Sequence, residues 1–298
     1  MERLLEVLGA LREDPDLGDQ FVLHGGTALN VFHGEIPRLS VDIDLMYVGE
    51  IDVDRMREQR PRIDARFREV VGALGYSVQA TNDEHSGRTY RVKYPGDYLK
   101  VDISYLARVA LLDPEMRSCQ YADPPAEYPV VQLQELVAGK VKAMIERDAA
   151  RDLYDLYRMA DLSPMAFDDP LARALTIRSL CAADPFPFVT DPVAAVRRLG
   201  GTVRDFLEPL VAVLPVDQVP DFETMLDAVA GWLEPLSRKT AAEQEFMMRL
   251  GNDAEYCPEL LFAEWPEVLD RAEADPVMAW KRLNLERRLA GPSRGDAD

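Results

Sequence analysis

The stretch from Val22 to Leu45, VLHGGTALNVFHGEIPRLSVDIDL, restricts the possible folds more than any other part of the chain. Its Gly-Gly-Thr turn leads into a short apolar helix, and the strand that follows carries Asp42 and Asp44. Because successive strand side chains point to opposite faces, the two aspartates share one face, and Ile43 and Leu45 share the other. Two carboxylates on one strand face, downstream of a turn suited to an anion, indicate metal-assisted chemistry on a phosphate.

The first half of the chain alternates between helical and strand-like patterns. Apolar periodicity predicts a helix at residues 2–14 and a second at 52–74, which Pro61 interrupts. Alternation of apolar and polar residues predicts strands at 21–23, 38–47, 76–80, 89–94 and 98–105. On the last of these strands Asp102 lies on the polar face with Lys100, so it is a third carboxylate on the polar face of a strand.

The second half of the chain is helical in character. Residues 106–130 contain four prolines and show weak periodicity, which predicts connecting chain, and one helix is predicted from about Val131 to Leu162. After Pro164, helical periodicity recurs at 171–181, 193–199, 203–214, 222–236, 241–250 and 277–289. We therefore predict an α+β protein, with a mixed sheet and flanking helices at 1–165 and an all-helical domain at 166–298.

Composition limits the classes of function. The chain has 298 residues, and its 53 acidic and 34 basic residues give a net charge of −19. This excess argues against broad adhesion to nucleic acid, which needs cations that neutralise phosphates, but it leaves room for a local basic patch. The N-terminus lacks the apolar centre of a signal peptide, and no apolar run approaches the ~18 residues of a membrane span, so we expect a cytoplasmic protein without a membrane partner. Cys119, Cys181 and Cys257 fit neither a disulfide framework nor a zinc site, and we expect them to be reduced.

The aspartates and the glycine turn fit the chemistry of nucleotidyl transfer. Two metal ions about 4 Å apart activate a hydroxyl nucleophile and stabilise the leaving pyrophosphate, and converging carboxylates hold them. Asp42, Asp44 and Asp102 supply three such carboxylates. The backbone of Gly25 and Gly26, at a helix N-terminus, can closely approach a triphosphate because glycine has no Cβ.

Three segments together resemble one family. GGTAL at Gly25–Leu29, RLSVDIDL at Arg38–Leu45 and LVAGKVKAMIERDAARDLYDLY at Leu136–Tyr157 are similar to the AbiEii/AbiGii toxin family of nucleotidyltransferases, which includes MenT-type toxins. DPVMAWKRLN at Asp275–Asn284 also resembles a late stretch common in that family. The resemblance covers the N-terminal half by motif and the remainder by helical character.

The resemblance implies a nucleotidyltransferase core, a helical C-terminal lobe and a site in the cleft between them. Family members bind a nucleoside triphosphate, the co-substrate, with Mg²⁺ or Mn²⁺. Some transfer nucleotides to the acceptor end of tRNA, which stops growth until an antitoxin encoded nearby counters them. For this chain the resemblance implies nucleotidyl transfer to an RNA acceptor, with tRNA favoured.

The resemblance also implies roles for individual residues. Gly25, Gly26 and Thr27 are expected to hold the triphosphate, Asp42 and Asp44 to bind metal, and Lys140 to contact phosphate. Either Asp152 or Asp155 is the essential acid of the last motif. We favour Asp152, because Asp155 can pair with Arg151 one helical turn earlier.

Three residues beside the aspartates have open roles. Arg38 either binds a phosphate or neutralises the carboxylates, and Ser40 is expected to orient Asp42 through a hydrogen bond. Asp102 is either the third metal-binding carboxylate, with a possible role as general base, or a structural partner of Lys100 or Arg91. The sequence does not decide among these roles.

Two alternative functions keep parts of the same site. In the first, the acceptor is a small molecule or a protein hydroxyl; in the second, the chain is a non-catalytic nucleotide-binding or interaction protein. An RNA acceptor needs a basic surface despite the net acidity. Arginines on the helix at 52–74 either form such a surface or are a solvated helix face: Arg55, Arg57, Arg60, Arg62, Arg66 and Arg68.

Overall fold

The structure is a computed structural model. It describes residues 1–34, 38, 40, 42–84, 86–119, 121, 126–147, 149–199, 203–214 and 218–290, without the side chains of 83 and 203–206. The chain divides into two compact units, of which the first is Met1–Leu136 and the second begins at Val137. The domain boundary predicted near residue 165 remains a prediction.

A mixed seven-stranded sheet forms the centre of the first unit, in the order β3-β4-β5-β2-β1-β7-β6. Its strands are β1 Phe21–His24, β2 Asp42–Tyr47, β3 Ser77–Glu84, β4 Gly87–Tyr94, β5 Asp97–Ser104, β6 Glu115–Cys119 and β7 Ala126–Val130. The β2–β5 and β1–β7 pairs are parallel, and the other neighbours are antiparallel. The sheet therefore joins the strand with the Asp pair directly to the strand that carries Asp102.

Strand β2 begins later than the sequence pattern predicts. The predicted strand at 38–47 is observed from Asp42, and residues 39 and 41 lie outside the described part of the chain. The strands predicted at 21–23, 76–80, 89–94 and 98–105 are confirmed with small shifts of their ends.

Helices pack against this sheet and connect its strands. They are α1 Glu2–Glu13, the single turn α2 Gly25–Thr27 with its π-helical continuation Ala28–His33, and α3 Val53–Ala73. Phe67 of α3 stacks on Tyr90 of β4 with ring centroids 4.5 Å apart, so α3 lies against the apolar face of the sheet. The break predicted at Pro61 is wrong, because α3 continues through it. Burial of Met56, Ile63 and Phe67 stabilises the helix against the loss of one backbone hydrogen bond.

A buried carboxylate fixes α3 to the sheet. Asp64 is 2% exposed and accepts hydrogen bonds from the hydroxyls of Tyr90 at 2.8 Å and Tyr105 at 2.9 Å. Arg88 lies 2.6 Å from the same carboxylate. Burying a charge is costly unless it is paired and hydrogen-bonded, and this network meets both conditions.

The prediction of connecting chain at residues 106–130 is wrong. Within that segment β6 and β7 form an antiparallel pair, and β7 joins the sheet beside β1. The strands are only five residues long, and Pro129 interrupts the usual strand composition of β7. Position in the sheet therefore overrides the weak local pattern.

The second unit is helical, as predicted. Its helices are α4 Leu133–Glu146, which starts in the first unit, α5 Ala150–Leu162, α6 Pro170–Ala182, α7 Pro192–Val196, α8 Val203–Val211, α9 Phe222–Leu233, α10 Ala241–Asp253, α11 Glu259–Phe262, α12 Pro266–Glu273 and α13 Pro276–Leu289. The single helix predicted from Val131 to Leu162 is wrong, because α4 and α5 are separate. Among the described residues, no helix is long and apolar enough to cross a membrane.

Residues of the DPVMAWKRLN stretch at Asp275–Asn284 pack α13 against α6. Asp275 caps α13 by accepting from the amides of Val277 and Met278, and it pairs with Arg178 of α6. Lys281 is 8% exposed and donates to the carbonyl of Ala183 at 2.5 Å, just after α6 ends. These residues hold α13 against α6. The three cysteines are free and buried, as predicted.

Candidate active site

The Gly-Gly-Thr turn lies directly against the aspartate strand. Gly25 follows β1 with φ = +72°, and a Cβ built there would lie 2.2 Å from Oδ2 of Asp44. A side chain would therefore collide with the carboxylate and would also strain the backbone. Glycine at this position allows the turn and Asp44 to approach each other closely.

The remainder of the turn is held by hydroxyl and amide contacts. Thr27 is buried, and its Oγ1 donates to the carbonyl of Asp42 at 2.5 Å and lies 3.1 Å from Oγ of Ser40. Asn30 donates to the carbonyl of Gly26 at 2.8 Å. Ser40 is thus connected to the start of β2 through Thr27, and these contacts fix the turn relative to the aspartates.

Arg38 is buried beside the turn. It is 5% exposed, and a Cβ built on Gly26 would lie 3.1 Å from its Nη2. The guanidinium is therefore close to the backbone that is expected to face the triphosphate. This position is compatible with both predicted roles, phosphate binding and neutralisation of the carboxylates.

The carboxylates of Asp42, Asp44 and Asp102, here called the carboxylate cluster, share one face of the sheet. Asp42 is paired with Lys100, and Asp44 with Asp102, in the parallel β2–β5 register. Partners in register project to the same side, so the sheet places all three carboxylates beside each other. The side chain of Asp102 is 31% exposed, and Asp42 and Asp44 are half-buried.

Lys100 and Thr89 contact the carboxylate cluster directly. The Lys100 ammonium pairs with Asp102, and Thr89 Oγ1 donates to Asp102 at 2.6 Å. Burial by itself would lower the pKa of Lys100. The hydrogen bond to Asp102 and the charges of the three aspartates outweigh this effect, so the pKa of Lys100 is raised above its ordinary value. The structural pairing considered for Asp102 is therefore present with Lys100.

The carboxylate cluster contains more negative charge than its neighbouring cations neutralise. Three aspartates face Lys100 and, near the turn, Arg38. As the side chains stand, no group of three or more His, Cys, Asp or Glu residues in the described part of the chain is arranged to hold a metal ion. Asp102 is directed to Lys100 and Thr89, so its predicted metal role remains a prediction.

A second charged group lies in the second unit and is here called the buried ion cluster. Lys140 of α4 lies 2.6 Å from Oδ2 of Asp155 and 3.3 Å from Oδ1 of Asp152. Arg147 lies 2.6 Å from Oδ2 of Asp152. The side chains of Asp152 and Asp155 are 3% and 0% exposed. The structure thus brings together the three residues of this unit that the family resemblance singled out.

The break between α4 and α5 creates the buried ion cluster. In one continuous helix, the sequence separation of 15 residues would place Lys140 and Asp155 about 22 Å apart. The chain reverses after Glu146, and the two side chains meet instead. Asp155 pairs with Lys140, and Arg151 forms no ion pair with any described carboxylate, so the Arg151 pairing considered from sequence is not observed.

Three contact residues were not singled out by sequence reasoning. Thr89 holds Asp102, Asn30 holds the glycine turn, and Arg147 holds Asp152. Alternation along β5 already placed Lys100 beside Asp102. The contact of Thr89 with Asp102 could be identified only from the β4–β5 register. The contact of Arg147 with Asp152 could be identified only from the break after α4.

The α3 arginines are paired along their own helix or with nearby loops. Arg57 bonds Asp54, Arg62 bonds Asp16, and Arg66 bonds Asp14 and Glu69. Arg60 and Arg55 lie near Asp64 and Glu50, and Arg68 lies over the ring of Tyr90. Because five of these six arginines lie within ion-pair distance of a carboxylate, the solvated-face interpretation of α3 fits the structure better than a phosphate-binding surface.

The mixed sheet, with a glycine turn against paired strand carboxylates, defines a protein of the nucleotidyltransferase class. A similar fold occurs in MenT4, a nucleotidyltransferase toxin from Mycobacterium tuberculosis H37Rv, with a TM-score of 0.63 over 91% of this chain and 90% of that chain. The two sequences are 21% identical, so this likeness concerns the fold. No curated protein sequence matches the chain significantly.

The family is established by sequence. The family model described as nucleotidyl transferase AbiEii toxin, type IV toxin–antitoxin system, matches residues 6–228. The chain belongs to the AbiEii nucleotidyltransferase toxin family, which confirms the predicted family, fold class and enzyme class. Membership implies a nucleoside triphosphate substrate and an antitoxin.

Proposed function

We propose that this nucleotidyltransferase toxin uses Mg²⁺, or Mn²⁺ in its place, to transfer a nucleotide from a nucleoside triphosphate to the end of an RNA acceptor, with tRNA as the favoured acceptor. The observation that carries the proposal is the approach of Gly25 to Asp44 beside the Asp42–Lys100 and Asp44–Asp102 pairs. A phosphate-binding turn and metal-binding oxygens are thereby adjacent on one sheet.

The carboxylate cluster supplies the oxygen donors that a divalent metal ion prefers, although its side chains as they stand are not arranged around a metal position. Carboxylate oxygens are the ligands that Mg²⁺ prefers, and the excess negative charge at Asp42, Asp44 and Asp102 favours a cation there. Asp42 and Asp44 would hold the ion, which would polarise the phosphate and favour deprotonation of the attacking hydroxyl. Asp102 is a candidate third ligand or general base.

The protein groups have separate roles in the transfer step. The acceptor hydroxyl oxygen forms a bond to the α-phosphorus, the bond between that phosphorus and the bridging oxygen breaks, and pyrophosphate leaves with the electron pair. The hydroxyl proton passes to a base, for which Asp102 is the candidate. The amides at Gly25 and Gly26 bind the triphosphate, and Arg38 adds positive charge beside them.

The buried ion cluster supplies the remaining proposed groups. Lys140 is proposed to contact phosphate, and Asp152 is favoured over Asp155 as the essential acid. Support for this choice comes from Arg147, because this partner of Asp152 is 64% exposed while Asp155 is fully buried. Asp152 is thus the acid whose charged partner reaches solvent.

Label transfer tests the proposed reaction. The protein is incubated with each α-labelled nucleoside triphosphate, Mg²⁺ and total RNA, and the products are separated by size. We expect label in the tRNA fraction, with Mg²⁺ required and Asp44→Asn inactive. Label that enters only protein or a small molecule would overturn the RNA acceptor, and transfer that is unchanged in Asp44→Asn would overturn the assigned site.

A further inference from the structure

A basic and aromatic surface lies on the same sheet face as the carboxylate cluster. It consists of Arg91 and Lys93 on β4 with Tyr98 and Lys100 on β5, and is here called the β4–β5 strip. Arg91 pairs with Lys100, and Lys93 with Tyr98, in the antiparallel register. Lys100 in turn pairs with Asp42 of β2. Register therefore places the strip beside the carboxylates, on the face opposite α3.

The strip is locally basic although the whole chain is acidic. Arg91 and Lys93 are exposed, and neither forms an ion pair with a carboxylate in the part of the chain that the structure describes. On β3, the residues in register with them are Gln79 and Ser77, which are uncharged. Positive charge on this face is thus available to an anionic ligand, unlike the charge of the paired α3 arginines.

Tyr98 gives the strip a stacking surface. Its ring is 47% exposed, and the guanidinium of Arg91 lies 5.0 Å from its centroid. An exposed aromatic ring next to cations is the combination that binds single-stranded nucleic acid, because bases stack on the ring and phosphates meet the charges. A rise of about 3.3 Å per residue places Tyr98 about 13 Å along β5 from Asp102.

A cavity of about 620 Å³ touches the strip at Tyr98 and Lys100 and the carboxylate cluster at Asp42. The acidic residues Glu2 and Asp97 also line it. Tyr94 lines it too, with Arg3 stacked 3.8 Å from the ring centroid. The glycine turn follows β1 on one side of β2, whereas β5 and this cavity lie on the other side. The carboxylates therefore stand between the expected triphosphate and a second ligand.

We propose that the β4–β5 strip binds the single-stranded end of the RNA acceptor, with Tyr98 stacked on a base and Arg91 and Lys93 on the phosphates. This inference rests on the proposed function, since it names the surface that presents the acceptor to the carboxylate cluster. A partner protein with an acidic peptide is the competing occupant, and the experiments separate the two.

Charge reversal tests the strip against a matched control. Arg91→Glu combined with Lys93→Glu changes the net charge as much as Arg55→Glu combined with Arg57→Glu on α3. Binding is measured with a fluorescent single-stranded RNA of about 12 nucleotides at several salt concentrations. The logarithm of the affinity falls as the logarithm of the salt concentration rises, and the steepness of this fall reflects the number of phosphate contacts. In the strip variant the steepness is expected to decrease by about 1.4 or more, because two phosphate contacts are lost. The α3 variant is expected to bind like the wild-type protein.

Stacking is tested separately at Tyr98. Tyr98→Ala is expected to weaken RNA binding by about 5- to 100-fold, and Tyr98→Phe to restore it, because phenylalanine keeps the ring. Affinity for a fluorescent nucleoside triphosphate is measured in the same variants and is expected to be unchanged. Equal RNA affinity in all variants would overturn the inference.

Two outcomes distinguish this inference from the proposed function. If the wild-type protein transfers label to RNA and the strip variants do so at the same rate, the strip assignment fails while the proposed function stands. If the wild-type protein labels no RNA, the proposed function fails first. Loss of transfer to a protein acceptor in the strip variant, with RNA binding unchanged, would assign the strip to a peptide and overturn the RNA inference.

Discussion

The carboxylate cluster and the buried ion cluster contain similar residues in opposite electrostatic situations. Asp42, Asp44 and Asp102 are partly exposed and exceed their neighbouring cations in charge. In the second unit, Asp152 and Asp155 are nearly fully buried and are matched by Lys140 and Arg147. A cluster with accessible, uncompensated negative charge favours the binding of a cation. A buried cluster whose positive and negative charges are equal in number does not.

This difference indicates that the carboxylate cluster needs a ligand to balance its charge, whereas the charges of the buried ion cluster are balanced by residues of the fold. Substitutions in the carboxylate cluster should impair transfer without unfolding the protein. Substitutions in the buried ion cluster should lower stability. Only residues that also contact substrate should lower the transfer rate by more than the loss of stability explains.

The largest effect is expected from Asp44→Asn. Loss of a metal-binding carboxylate should reduce the transfer rate by about 1,000-fold or more, because metal stabilisation of the transition state amounts to several kcal/mol. The melting temperature should stay unchanged or rise, since one of several like charges is removed. Transfer is measured by label incorporation and stability by thermal unfolding. A variant that loses stability in parallel with transfer would remove the distinction between the clusters.

The next effect concerns Lys140→Met. It removes the cation that lies 2.6 Å from Asp155 and 3.3 Å from Asp152, and it should lower the free energy of unfolding by about 3–5 kcal/mol. Urea denaturation measures the loss. In the double variant Lys140→Met with Asp155→Asn, Asp152 keeps Arg147 and no buried charge lacks a partner. Part of the lost stability should therefore return, and a double variant less stable than Lys140→Met would contradict the charge-balance account.

Asp152→Asn and Asp155→Asn separate the two candidate acids. Asp155 is fully buried against Lys140, so Asp155→Asn should act mainly on stability. Asp152 is paired with the exposed Arg147, and Asp152→Asn should lower transfer more than its loss of stability explains. Label transfer is compared at a temperature where both variants are folded. The reverse order of activities would make Asp155 the essential acid.

The smallest effect is expected at an ion pair that belongs to neither cluster. Arg66 of α3 hydrogen-bonds Asp14 at 2.7 Å and thereby holds the pKa of Asp14 below its ordinary value. A depressed pKa stabilises the fold above the unfolded-state value of about 3.9, and the contribution disappears as the pH falls through the folded-state pKa. Asp14→Asn should therefore be slightly less stable than the wild-type protein near neutral pH and equally stable in acid. Urea midpoints across this pH range measure the difference, and a gap that persists in acid would contradict it.

Much of the first unit could be predicted from local patterns. Alternation along β2 and β5 placed Asp42, Asp44 and Asp102 on polar faces, and glycine chemistry marked the turn. The β6–β7 pair was missed because short strands with charged residues and Pro129 carry little periodicity. The position of Asp44 beside Asp102 depends on the order of the strands in the sheet, which cannot be read from a single sequence.

The second cluster could not be derived from helical periodicity. The residues between α4 and α5 look helical in sequence, and one continuous helix would keep Lys140 and Asp155 apart. Only the break after Glu146 brings them together. The family resemblance pointed to these residues together, and their contact required the folded chain; their roles in the reaction remain predictions.

Binding of Mn²⁺ tests the division between the clusters most directly. Electron paramagnetic resonance measures free and bound Mn²⁺ during titration of the wild-type protein, Asp44→Asn and Asp152→Asn. The wild-type protein and Asp152→Asn should bind Mn²⁺ with similar affinity, and Asp44→Asn should lose most of that binding. Binding that survives in Asp44→Asn and disappears in Asp152→Asn would place the metal in the buried ion cluster and contradict the account.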